Sequence, residues 1–419
     1  MEELWSSQCL FYSLTEKFSN FVQARITLDD IIDKNVMQHA LDTAIKRFPY
    51  FKVRLIRKGE EFVLEDNDKP LLVYSDAYSP TLAPEKNNDY LIRLSVDGSM
   101  LNLCFCHAIT DGRGIMTLIK TLLHYYFLYL TGINSKAPDL LLADSEIPAE
   151  EITDPMLDFK PVDTSSVPMP KDEPPFVLPV ESDPSGRKYY LCFTINSDSF
   201  MKYSRDNDGS PNALLALFMS HAVHAIHPDA KNIVAGVAID QRRAFDSSKS
   251  HFCRVGLIHI KNSPKMEKMD ISTCATCYRG KIILESDVDR VTEVLSLSQQ
   301  FNMYLKSLKT FDEKCAVSRA AVQRGCMNDT FSVSYVGKQD FGEINNHIRF
   351  IGAMVDASTL HLSIEIMSIP GKFFISVSQD FSSDIYVKKL MELLEAEGIK
   401  CTDYVAGSSP YVYAPFAKS

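Results

Sequence analysis

The stretch LCFCHAITDGRGI, residues 103–115, decides how the chain is read. Side chains two apart on a strand share a face, so Leu101, Leu103, Phe105 and His107 point one way. Asn102, Cys104 and Cys106 point the other. An apolar row suited to a buried strand therefore ends in an imidazole at the strand's exit. Imidazole has an ordinary pKa near neutrality and can accept a proton and return it. Asp111 follows four residues later and Gly112 next, where a glycine permits a sharp change of direction. Of the ten histidines, only His107 has an aspartate four positions on. With Asp and Gly each at roughly 5–7% of residues, such a pattern arises by chance about 0.02–0.05 times in a chain like this one. Read locally, His107 is either a catalytic base or a satisfied core histidine, with Asp111 capping the next helix.

Downstream, Ile115, Met116, Ile119, Leu122, Leu123, Tyr126, Phe127 and Leu130 recur at helical spacing, and Gly132 stands just past the end as a C-cap. Upstream, KNVMQHALDTAIKRF (34–48) has one apolar face and predicts a helix closed by Pro49. Strands are expected at 51–56, 61–65 and, as one long element, 90–106. From about 140 to 186, nine prolines among Asp, Glu and Ser break any sustained periodicity, which reads as a connection between two halves. The second half predicts strands at 188–195, 232–239, 329–337, 359–367 and 372–380. It also predicts helices at 211–226 and 383–397, and a helical stretch at 265–309 in two pieces. The expected organisation is thus residues 1–140, a proline-rich connection 141–186, and residues 187–419, each half combining a mixed sheet with helices.

Composition bounds the function. The chain has 419 residues, 45% of them hydrophobic, enough for large cores and two domains. A formal net charge of −10 argues against nucleic acid or an anionic membrane as the main partner. No apolar run approaches a membrane span, and Met1-Glu2-Glu3 lacks the basic and apolar regions of a secretory leader, so a cytoplasmic protein is expected. The ten cysteines are scattered, many in apolar runs, as reduced thiols of a cytosolic protein would be. His221, His224 and His227 step by three and drift around a helix, so they do not converge on a metal. Cys274 and Cys277 form a lone C-x-x-C without a second pair. Neither a G-x-G-x-x-G nor a Walker loop is present, and no metal or permanently bound cofactor is expected.

The segment His107-Ala-Ile-Thr-Asp111-Gly112, at a strand-to-helix turn, resembles the H-x-x-x-D-G signature of the chloramphenicol acetyltransferase-like acyltransferases. That superfamily includes alcohol acetyltransferases, PapA-type enzymes, plant BAHD acyltransferases and the condensation domains of peptide synthetases. The resemblance covers nearly the whole chain. ALDTAIKRFPYFKVRL (40–55) is similar to the family's opening helix and first strand. SPNALLALFMSHAV (210–223) resembles the helix that opens the second half. AIDQRRAF (238–245) resembles the D/N-x-R segment, and FSVSYVGKQDFG (331–342) the BAHD S-W…D-F-G region. Cys106 stands where condensation domains carry a second histidine. Asp340-Phe341-Gly342 is followed by Glu343-Ile344 rather than Trp-Gly. The alcohol acetyltransferase or PapA-like branch is the better match.

The resemblance implies an α/β fold of two acyltransferase-like subdomains, with a tunnel between them reaching His107. It implies that His107 takes a proton from an alcohol or amine acceptor as that group attacks a thioester, with no covalent acyl-enzyme. The thioester would be acyl-CoA or the phosphopantetheine of an acyl carrier protein. It aligns Ser334 with a donor to the tetrahedral oxyanion, and gives Asp111 a structural role, paired with Arg242, at the turn containing Gly112. The Asp340-Phe341-Gly342 segment would shape the tunnel or cofactor entrance. Three functions stay open here: an acyl-CoA-dependent O- or N-acyltransferase, a carrier-protein-dependent condensation-like enzyme, and a silent binding or scaffold member of the fold.

Overall fold

The computed structural model describes residues 8–15, 20–75, 84–165, 173–245, 249–355 and 360–409. Two mixed sheets organise them. The strands, in chain order, are β1 (Phe21–Leu28), β2 (Val53–Lys58), β3 (Glu61–Asp66), β4 (Val73–Tyr74), β5 (Ile92–Asp97), β6 (Met100–Cys106) and β7 (Lys188–Asn196). They continue with β8 (Ile233–Asp240), β9 (Val255–Asn262), β10 (Phe331–Lys338), β11 (Ile348–Val355), β12 (Leu362–Ile369), β13 (Lys372–Gln379) and β14 (Cys401–Ser409). The first sheet runs β11-β1-β6-β5-β4 and the second β14-β7-β13-β12-β10-β8-β9, with β2 and β3 forming a separate hairpin.

β6 lies between β1 and β5 and is buried on both faces, which explains its nearly unbroken apolar sequence. The expected long strand at 90–106 is two strands. Gly98-Ser99, with Gly98 at a φ of 55°, makes the tight turn of a hairpin in which Leu94 faces Leu103. Helices Lys34–Ala44 and Gly112–Thr131 pack together over the first sheet around one core. Asp33 caps the former by accepting from the Asn35 and Val36 amides at 2.8 and 3.1 Å. Pro211–Ile226 and Ile385–Ala396 cover the second sheet around another core.

The chain crosses between the sheets. β11, from the second half of the sequence, pairs antiparallel with β1 and completes the first sheet. β1, β4, β9, β11 and β14 were not among the expected strands, nor helices Gln8–Ser13, Ser197–Asp206 and Phe311–Cys326 among the expected helices. The stretch 265–309 does hold two helices, Ile271–Glu285 and Val288–Ser307. The connection 141–186 contains a short helix, Ala149–Ile152, and packs on both halves. Glu151 takes the buried Arg47 guanidinium at 2.7 Å, and Asp154 takes that of Arg254. Residues 166–172 of the connection, the first residue of the strand expected at 359–367, and residues 1–7 and 410–419 lie outside the described residues. Among the described residues, no helix is long and apolar enough to cross a membrane.

Candidate active site

β6 ends at Cys106, and the turn after it places His107 half-buried where the two sheets face each other. The His107 amide donates to the Asn20 carbonyl at 2.9 Å, which fixes the backbone at the strand's exit. Its ring nitrogen Nδ1 lies 3.1 Å from the Thr110 carbonyl oxygen. A carbonyl only accepts, so Nδ1 carries a proton and, in the neutral ring, the lone pair lies on Nε2. The Cys253 sulfur stands 3.3 Å from the same Nδ1. Burial disfavours charge on the ring, but the adjacent Cys253 sulfur, with the Asp111 carboxylate, outweighs it and raises the His107 pKa.

Asp111 is the N-cap of helix Gly112–Thr131, accepting from the Gly114 amide at 3.0 Å. Its carboxylate also meets Arg242, with Nη2 to Oδ1 at 3.0 Å and Nη1 to Oδ2 at 2.9 Å, and accepts the Arg254 amide at 2.9 Å. Both members of the pair are buried, Asp111 at 1% and Arg242 at 3% exposure. Arg242 gives its other donors to the Ser250 and Phe252 carbonyls, at 2.9 and 2.8 Å, and to the Asp240 carboxylate at 3.1 Å. The pairing thus fixes segment 250–254 of the second half against the turn of the first. Thr110 adds to it by donating its hydroxyl to the His251 carbonyl at 2.8 Å.

Gly112 is not in the left-handed region; what it supplies is closeness, since a Cβ there would stand 3.0 Å from Val336 Cγ2. The stricter requirement falls on Gly114. A Cβ on it would overlap Thr110 Oγ1 and stand 2.6 Å from the His251 carbonyl oxygen.

A cavity of about 380 Å³ opens beside His107 and draws its wall from both sheets. Val22, Phe105 and Arg113 contribute from the first half, and Ser334, Val336 and Glu365 from the second. Ser334 lies on β10 directly beside Glu365 of β12 in parallel register. Burial raises the Glu365 pKa to about 7, against a hydrogen bond from Ser334 and the charge of His107. Tyr335 packs against the second core, and its hydroxyl meets Ser368 Oγ at 2.9 Å.

Asp340, Phe341 and Gly342 are not among the described residues that line the cavity. Phe341 is buried in the first core, and its carbonyl accepts the Ser135 hydroxyl at 2.6 Å. The segment fastens the end of β10 to residues 135–137. His221 and His227 turn to different neighbours, Glu267 at 3.8 Å and the Tyr386 hydroxyl at 2.7 Å. His251, stacked on Tyr50, is pushed down to about 4 by burial and is too weakly basic to serve as a second base.

Cys253 and Glu365 escaped the sequence reading. Glu365 left a trace, as the one acidic residue in LSIEIMSI (362–369). Cys253 left none.

No protein-family model and no curated protein matches the sequence. Solved structures do match in fold. The epimerization domain of the third module of tyrocidine synthetase B has a TM-score of 0.58 at 13% identity, over 92% of this chain and 94% of its own. TRI101 of F. sporotrichioides, complexed with coenzyme A and T-2, has a TM-score of 0.57 at 14% identity, over 94% and 98%. Polyketide synthase associated protein 5 from Mycobacterium tuberculosis has a TM-score of 0.58 at 13% identity, over 93% and 95%. The chain therefore shares the two-sheet fold of these structures. Coverage of more than nine-tenths on both sides means that the likeness extends to the whole fold.

Proposed function

We propose that the protein is an acyltransferase that moves an acyl group from a thioester, acyl-CoA, to the hydroxyl or amine of a small acceptor. One observation carries the reading: His107 donates Nδ1–H to the Thr110 carbonyl and so keeps Nε2 basic, beside a cavity walled by both sheets. Nε2 takes the acceptor's proton as its oxygen or nitrogen attacks the thioester carbonyl, which is worth about 10²–10⁴ in rate. The carbon–sulfur bond then breaks, and the proton passes from Nε2 to the leaving thiolate. No covalent acyl-enzyme is required, because a thioester is already electrophilic. The tetrahedral oxyanion needs a donor from the opposite wall, and Ser334 lies on that wall.

Asp111 and Arg242 act at one remove by fixing the turn that carries His107. Coenzyme A in the TRI101 structures supports CoA as the donor, and their acceptor T-2 supports a small-molecule acceptor. Free thiols at Cys106, Cys192 and Cys253 support a reducing, cytoplasmic setting.

The test is thiol release from a panel of acyl-CoAs with candidate alcohols and amines, comparing the wild type with His107→Ala. Release that depends on His107 is expected. Equal release from both proteins, or none from the wild type with any pair, would remove the reading.

A further inference from the structure

β12 turns Leu362, Ile364 and Ile366 into the second core and Ser363, Glu365 and Met367 toward the cavity. Glu365 is 7% exposed. The other carboxylates of the cavity wall are matched with cations: Asp111 with Arg242, and Asp240 with Arg113 and Arg242. Among the described residues, no ion pair includes Glu365. Ser334 stands directly beside it on β10, and His107 is near enough for its charge to be felt without forming a pair. Ser332 and Ser363, joined Oγ to Oγ at 2.9 Å, add hydroxyl oxygens to the same wall. The result is a buried carboxylate among hydrogen-bond acceptors, opening onto the space where an acceptor would sit.

That arrangement suits one chemical class. A group with several N–H donors and a positive charge satisfies both the carboxylate and the serine oxygens. A cation favours the ionised form of a carboxyl that burial has raised to about 7, whereas a neutral alcohol leaves that charge unmatched and an anion repels it. The negative net charge of the chain favours the approach of cations as well.

We propose that Glu365 selects the acceptor, holding the ammonium of a small diamine or amino alcohol while its hydroxyl or neutral second amine reaches Nε2 of His107. The proposal rests on the acyl-transfer reading for the word acceptor, but its binding test needs no acyl donor.

Calorimetric titration of the full chain with 1,4-diaminobutane and with 1-butanol, each without acyl-CoA, provides that test. The wild type is expected to bind the diamine at least about tenfold more tightly than the alcohol. Glu365→Gln should lose at least about tenfold in diamine affinity with butanol unaffected, and Glu365→Asp should retain part of the preference. Equal binding of the two probes by the wild type overturns the proposal without recourse to any variant. So does an undiminished preference in Glu365→Gln. Cation preference without thiol release would sink the acyl-transfer reading alone; thiol release without cation preference would sink this one alone.

Discussion

Asp111 and Arg242, 131 positions apart, meet as a two-pronged buried pair at 2.9 and 3.0 Å, and the carboxylate also holds two backbone amides. Removing one side leaves the guanidinium buried with part of its charge unmatched, a loss of about 3–5 kcal/mol. Asp111→Asn should therefore lower the midpoint of urea unfolding and displace segment 250–254 from the turn. A midpoint within error of the wild type would show that the other contacts suffice.

Segment 250–254 also brings Cys253 to His107. A general base works from its neutral form, so the acid limb of kcat/KM follows the ring's pKa. That pKa is raised, placing the limb above the ordinary imidazole value of about 6.5, with the rate climbing as pH rises through it. Cys253→Ala removes the strongest upward influence, so its limb should move to lower pH. A limb that stays in place would show that the sulfur does not set the ring's proton affinity.

Ser334→Ala should leave the fold intact, because the residue lies on the cavity wall rather than in the core. If its hydroxyl donates to the oxyanion, kcat falls about 10²–10³-fold with little change in KM. A change confined to KM would instead make Ser334 a binding group.

The two glycines at the head of helix Gly112–Thr131 should tolerate alanine unequally. Gly114→Ala forces a Cβ against the His251 carbonyl, a backbone atom, and is expected to cost about 1–3 kcal/mol in thermal unfolding. Gly112→Ala meets only the Val336 side chain, which can shift, and should cost less. Equal losses would contradict the crowding at Gly114.

The strand–turn–helix around His107 was legible because it is local. A buried strand, an N-cap and a C-cap glycine leave their marks within thirty residues. The Gly98-Ser99 turn was equally local, and the single-strand reading of 90–106 passed over a hairpin signal. Thr310 and Glu313 form a capping box at the head of helix Phe311–Cys326 that the sequence displays but the reading did not use. β1 also displays a strand signal that the reading did not use, since Val22, Ala24, Ile26 and Leu28 alternate with Gln23, Arg25 and Thr27. β11 is another matter, because its place in the first sheet is set by β1, more than 300 positions away. The pairing of Asp111 with Arg242 is equally long-range and was foreseen only through the family resemblance. Glu365 and Cys253 face His107 through tertiary placement, which no spacing rule encodes.

The antiparallel seam between β1 and β11 stitches the halves into one object. A fragment ending before β11 would expose β1 as a raw edge, inviting self-association in place of the missing strand. The imidazole and the wall it faces must therefore be made, and lost, together.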